Sequence, residues 1–74
     1  MGEFFLYVTF QSVHEAMKAE DVFHKTTLSF KVVPVPRQIS SHCGVALLFS
    51  VKDKKDVEKI AVQKGLSIEE FHVL

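Results

Sequence analysis

Phe4-Phe5-Leu6-Tyr7-Val8-Thr9-Phe10-Gln11-Ser12-Val13-His14-Glu15-Ala16-Met17 is the stretch that sets the architecture, because its hydrophobic period changes partway along. Residues 3–10 are apolar almost throughout and rich in aromatic and β-branched types, the pattern of a central strand covered on both faces. Ser12 with Glu15 three residues later forms a capping box. Val13, Ala16, Met17, Ala19, Glu20 and Phe23 then recur at helical spacing as one mostly apolar stripe. A strand over 3–10 and a helix over 13–24 follow, so the chain opens with a βα unit.

The second half repeats the unit after an extra strand. In 28–35, Leu28, Phe30 and Val32 alternate with Ser29 and Lys31, which marks a strand with one wetter face at a sheet edge. Residues 45–51 are a second apolar run of strand length and the other central candidate. Asp53 and Asp56 supply an acidic capping pattern, Val57, Ile60 and Ala61 an inward stripe, and Gly65 stands where a helix end favours positive φ. These signals predict a helix over 54–64. In 68–74, Phe71 and Val73 fall on one face of a last strand, Glu70 and His72 on the other. The order βαββαβ with right-handed crossovers gives an α+β, ferredoxin-like sandwich: a four-stranded antiparallel sheet in spatial order 4-1-3-2, with two helices on one face. Seventy-four residues leave room for a single domain, 1–74, and no second core.

Composition narrows the function classes. An apolar share of 47% with seven Phe supports a compact core rather than disorder. Nine basic and nine acidic side chains cancel without a basic cluster, and the Phe fall at core positions, which argues against a nucleic-acid partner. One cysteine rules out an internal disulfide and the thiolate pairs of common structural zinc sites, and a reducing cytoplasm is its natural compartment. No His-x-x-x-His pair, carboxylate cluster, glycine-rich phosphate loop or Ser/His/Asp spacing stands out, so neither metal nor cofactor is expected. His24 and His72 stand alone and read as surface residues. The first apolar run is too short for a signal segment or a membrane span, and Leu at position 6 does not fit a myristoylation signal. A soluble, cytoplasmic protein with no membrane partner is the expectation.

Reactive chemistry concentrates between the second and third strands, in Pro34-Val35-Pro36-Arg37-Gln38-Ile39-Ser40-Ser41-His42-Cys43-Gly44. The prolines stiffen the entry and remove backbone donors. Arg37, Ser40, Ser41 and His42 gather donors around Cys43, and Gly44 permits positive φ or close backbone approach. The topology brings this loop to the end of strand one, near Phe10, Ser12, His14 and the first turn of helix one. A helix N-terminus, a guanidinium and an imidazolium each stabilise thiolate over thiol, so Cys43 is expected to be partly accessible with a lowered pKa. Composition alone favours a plainer reading, in which the segment is a solvated turn, His42 faces water and Cys43 is a small buried hydrophobe.

Two segments also carry a family likeness. Phe10-x-Ser12-x-His14-x-Ala16-x-x-Ala19-Glu20, with Pro34-x-Pro36-Arg37-x-Ile39-Ser40-Ser41-x-Cys43-Gly44 after it, resembles a family of small prokaryotic domains described as selenium/sulfur carrier-like proteins. The resemblance spans nearly the whole chain, and its second motif is long and chemically mixed. It implies that Cys43 accepts sulfur or selenium as a persulfide or selenopersulfide and passes it on. Arg37, Ser40, Ser41 and Gly44, with Ser12 and His14, would surround the anionic terminal atom. It further implies a donor such as a cysteine desulfurase and an acceptor protein, and a carrier rather than a stand-alone enzyme. Two other classes stay open. One is a non-catalytic module that binds a small anion or a partner peptide, with Cys43 merely packed. The other is a redox-sensing thiol that forms an intermolecular disulfide or mixed adduct.

Counting faces adds a last expectation. Two helices cover one side of the sheet, yet Phe5, Tyr7 and Thr9 of strand one, Ala46 and Leu48 of strand three, and Val33 and Val35 of strand two give the other side an apolar surface too. Soluble monomers seldom leave more than a few hundred Å² of such surface bare, so a homodimer through the open face is expected.

Overall fold

The structure is a computed structural model that describes residues 4–74. Its elements are β1 (Phe5–Phe10), α1 (Val13–His24), β2 (Phe30–Pro34), β3 (Val45–Ser50), a short 3-10 turn (Val51–Asp53), α2 (Lys54–Lys64) and β4 (Ile68–Val73). Glu3, included in the expected first strand, lies outside the described residues. The sheet order is β2-β3-β1-β4 with every neighbouring pair antiparallel, which is the ferredoxin-like arrangement, with β1 and β3 central. Pro34 closes β2 on an edge, where a residue without N–H is tolerated.

Local chemistry starts and stops the helices. Ser12 is extended (φ −153°) and its hydroxyl accepts the Glu15 N–H at 3.2 Å, satisfying one of the free donors at the start of α1. Only this half of the capping box forms, since Glu15 Oε1 is buried with no hydrogen-bond partner among the described residues. The acidic cap expected for α2 is not made. Asp53 already has coiled backbone angles at the end of the 3-10 turn, so its carboxylate does not reach back to the helix N–H groups. Val51 consequently belongs to that turn rather than to β3. Gly65 does end α2 in the left-handed region (φ 65°), and the Leu66 N–H reaches back to Ala61 O at 2.9 Å.

Leu6, Val8 and Phe10 of β1 and Leu47 and Phe49 of β3 meet Ala16, Ala19 and Phe23 of α1 and Val57 of α2 in one buried cluster. Phe23 sits edge-on to Phe49 at 5.0 Å, and Phe30 stacks on Phe49 at 5.5 Å. The inward stripe of α1 is narrower than its hydrophobic pattern. Val13 and Met17 are 53% and 61% exposed, because the helix rests on the sheet along the Ala16–Ala19–Phe23 line and leaves both on its flank.

The pairing of β1 with β4 is irregular at one point. Its register steps from Thr9↔Glu70 to Phe10↔Ile68, so Glu69 is left without a partner in a β-bulge.

Candidate functional site: the Cys43 loop and its carboxylate

The loop over 35–44 leaves the sheet through a Val35 N–H to Gly44 O bond of 3.1 Å. A turn closed by Ile39 N–H to Pro36 O at 3.0 Å carries Arg37 and Gln38 at its exposed tip. Ile39 turns inward and is 6% exposed, which anchors the middle of the loop.

Ser41 then ties the loop to the body. Its hydroxyl donates to Glu69 Oε1 at 2.9 Å, with Phe10 O at 3.5 Å at the limit of its reach, and its oxygen accepts the Cys43 N–H at 3.2 Å. His42 Nδ1 is 2.6 Å from the other oxygen of the same carboxylate, Glu69 Oε2. The His42 ring stays in water at 73% exposure, while the Glu69 side chain retains only 12%. The hydrogen bond to His42 and then that from Ser41 hold the Glu69 carboxyl below the ordinary carboxylate range; the positive charge of His42 and a contact to Thr9 assist, against an opposing effect of burial. A carboxylate from β4 thus clamps two consecutive loop residues at the end of β1. The residue after them in the chain is the cysteine.

Cys43 is 1% exposed and belongs to the same buried cluster as Phe10, Ala16 and Phe23. The expected end of the fold is therefore right and the expected access is not, because the loop turns the thiol inward under the start of α1 instead of outward past it. Ser41 is the one predicted partner joined to Cys43 by a hydrogen bond. Arg37, Ser40 and His14 are exposed and make no side-chain hydrogen bond or ion pair among the described residues; for Arg37 the cause is its place at the turn tip. Ser12 serves as the N-cap of α1. Gly44 has neither positive φ nor a neighbour within 4 Å of where a Cβ would stand, so neither reason given for a glycine there holds within this chain. His42, read as a residue facing water, is exposed and also paired.

Glu69 does not stand out as a site residue in the sequence, although a signal exists. On an alternating β4 it shares the phase of Phe71 and Val73, an acidic residue on the apolar side, and the bulge is what releases it to turn toward the loop. A groove of about 600 Å³ lined by Phe5, Leu28, Phe30, Leu48 and Lys52 lies at the opposite end of the sheet and does not serve the thiol. Among the described residues no set of His, Cys, Asp and Glu is arranged to hold a metal ion. No helix among the described residues is long and apolar enough to cross a membrane.

Fold and loop together define a class: a small ferredoxin-like domain with one thiol, carried on the loop that joins its second and third strands and fastened by a carboxylate from its last. The particular family comes from the comparison with family models. The chain belongs to the family described as "Putative Se/S carrier protein-like", whose model matches residues 5–73. No curated protein and no solved structure matches it.

Proposed function

We propose that the protein carries sulfur or selenium on Cys43, between a donor such as a cysteine desulfurase and an acceptor protein, in the reducing cytoplasm. In the loading step the Cys43 thiolate attacks the terminal sulfur of the donor's cysteine persulfide. The Cys43 S–S bond forms, the donor S–S bond breaks, and the donor leaves as its thiolate, so the sulfane sulfur moves with no net oxidation. Delivery is the same exchange with an acceptor thiolate, or with a selenium atom in place of the sulfur.

The observation that carries this reading, beside the family, is how Cys43 is covered. Its N–H is fixed by Ser41, and Ser41 is fixed by Glu69, so the loop that carries the thiol into the core is fastened by a polar latch, beside the buried Ile39, that a partner can undo. Burial suits a labile cargo, because a persulfide sealed from water and other thiols is protected from exchange. When the loop lifts, Ser40, Ser41 and the loop N–H groups supply donors to the anionic terminal atom, with Arg37 adding charge and Ser12 and His14 flanking the opening. Gly44 is open to solvent beside the thiol and leaves a partner's backbone room to approach. The carrier acts as a homodimer through the open sheet face, which leaves this end of each subunit free.

The same burial favours a second reading, a binding module in which Cys43 is only packed. Incubation with a cysteine desulfurase and cysteine, then intact-protein mass spectrometry, separates the two. The carrier gains the mass of one sulfur, removable by reductant and absent in Cys43→Ser. Unchanged mass with several desulfurases, and with a selenium donor, assigns the protein to the binding module.

A further inference from the structure

The cross-strand registers order the uncovered sheet face into rows. Lys31 pairs with Leu48, Leu48 with Tyr7, and Tyr7 with His72, so these four lie on one line across the sheet from the β2 edge to the β4 edge. The row toward the start of β1 is formed by Ser50, Phe5 and Leu74, the last joined to Phe5 through reciprocal backbone bonds of 2.8 and 3.0 Å. On the other side lie Val33 with Ala46, and Thr9 with Glu70. Charge on this face is confined to its two edges. Lys31 stands on β2, and Glu70 stands on β4, its carboxylate 2.8 Å from His72 Nε2 and so drawn into the row of Lys31. That contact lacks hydrogen-bond geometry: His72 Nε2 is buried and has no hydrogen-bond partner among the described residues.

Between the edges the surface is apolar and open. Phe5 and Leu74 are 39% and 40% exposed, and Tyr7, Leu48 and Val33 are half-buried. The molecule measures 33 × 25 × 16 Å, so the rectangle that bounds its broad face is roughly 800 Å², room enough for a face-to-face partner of the same size. Thr9 and Ala46 are already fully buried at the loop end, so the surface left for a partner is the part of the face toward the start of β1.

Two symmetric ways of stacking this face on a copy of itself keep the strands of the two sheets aligned, and charge separates them. With the two-fold axis in the interface and across the strands, β2 lies over the partner's β2, so that Lys31 meets the partner's Lys31 and Glu70 meets the partner's Glu70. With the axis along the strands, β2 lies over the partner's β4, and Lys31 meets the partner's Glu70 at both ends of the interface. We propose that a second copy of this chain covers the face in the latter register. The apolar middle then carries the association, and two symmetry-related Lys31–Glu70 pairs, each joined by His72, set its direction. This rests on the open-face homodimer of the proposed function and adds its axis and register.

Sedimentation or light scattering across roughly 1–100 μM tests it. The wild type is expected to be dimeric in the upper part of that range. Lys31→Glu alone and Glu70→Lys alone should each weaken the dimer at least about tenfold, and the double reversal should restore it to within about threefold, because it recreates the same pairs with their signs exchanged. Both side chains are solvent-exposed, and the double variant controls for any loss of fold in the singles. A dimer that dissociates in Tyr7→Glu but ignores the single reversals, or that the double reversal fails to rescue, overturns the register and leaves the open-face dimer standing. A wild-type monomer at 100 μM, or a dimer indifferent to Tyr7→Glu, overturns both.

Discussion

A carboxylate that accepts from a serine on one oxygen and meets a histidine on the other is favoured in its charged form, and Glu69 does both at the hinge of the Cys43 loop. Its folded-state pKa lies below the ordinary 4.5, so the stabilisation it gives is fully present above that value and is lost as pH falls through the lowered one. Cys43 should therefore stay sealed from neutrality down to about pH 4.5 and become more reactive toward a dipyridyl disulfide, which still reacts with thiols in acid, below it. At pH 7, Glu69→Ala should raise that reactivity roughly tenfold or more by freeing Ser41 and His42 together, with the fold retained by circular dichroism. A variant as slow as wild type would show that Ile39 and backbone bonds hold the loop without help. The bulge explains why the role falls to Glu69, since only an unpaired residue of β4 is free to leave its alternating face.

At the scale of elements, the two glycines with described surroundings play opposite parts. Gly65 holds the left-handed turn that ends α2, where a Cβ is strained; Gly65→Ala should cost about 1–2 kcal/mol and lower the melting temperature by roughly 4–8 °C per kcal/mol. Gly44 has ordinary backbone angles and open space, so Gly44→Ala should change stability by no more than about 0.5 kcal/mol. If Gly44→Ala leaves melting untouched and still slows sulfur loading, the glycine serves the partner's approach rather than the fold. The helices show a similar split. Their spans come from the stripe and from Ser12 and Gly65, whereas the failed Asp53 cap and the exposed Val13 and Met17 come from how each helix joins and rests on the sheet.

In the whole molecule, stability hangs on few side chains. A chain of 74 residues holds roughly 4–11 kcal/mol in total, and removing a buried Phe costs about 3–5. Phe23 joins α1 to β3 and β2 through Phe49 and Phe30, so Phe23→Ala should take most of that margin, seen as an early urea midpoint. A midpoint near wild type would mean that the two remaining rings repack around the gap. The core and the candidate site are one body here, since Cys43 lies in the same cluster as Phe23; the thiol should become reactive as that cluster loosens.

The sequence by itself determined the element order, the strand order, the edge position of β2, the helix spans, and the end of the sheet at which Cys43 lies. Each of these depends on local periodicity, on caps, or on connection rules that hold for any chain with this pattern. Only the tertiary structure decided that Cys43 faces inward, that Arg37 and His14 are exposed without a bond to it, and that Glu69 holds the loop. Those outcomes depend on the direction a loop takes after Ile39 is buried and on a single unpaired residue in β4, and a register step between the Thr9↔Glu70 and Phe10↔Ile68 pairs leaves no period in the sequence to read.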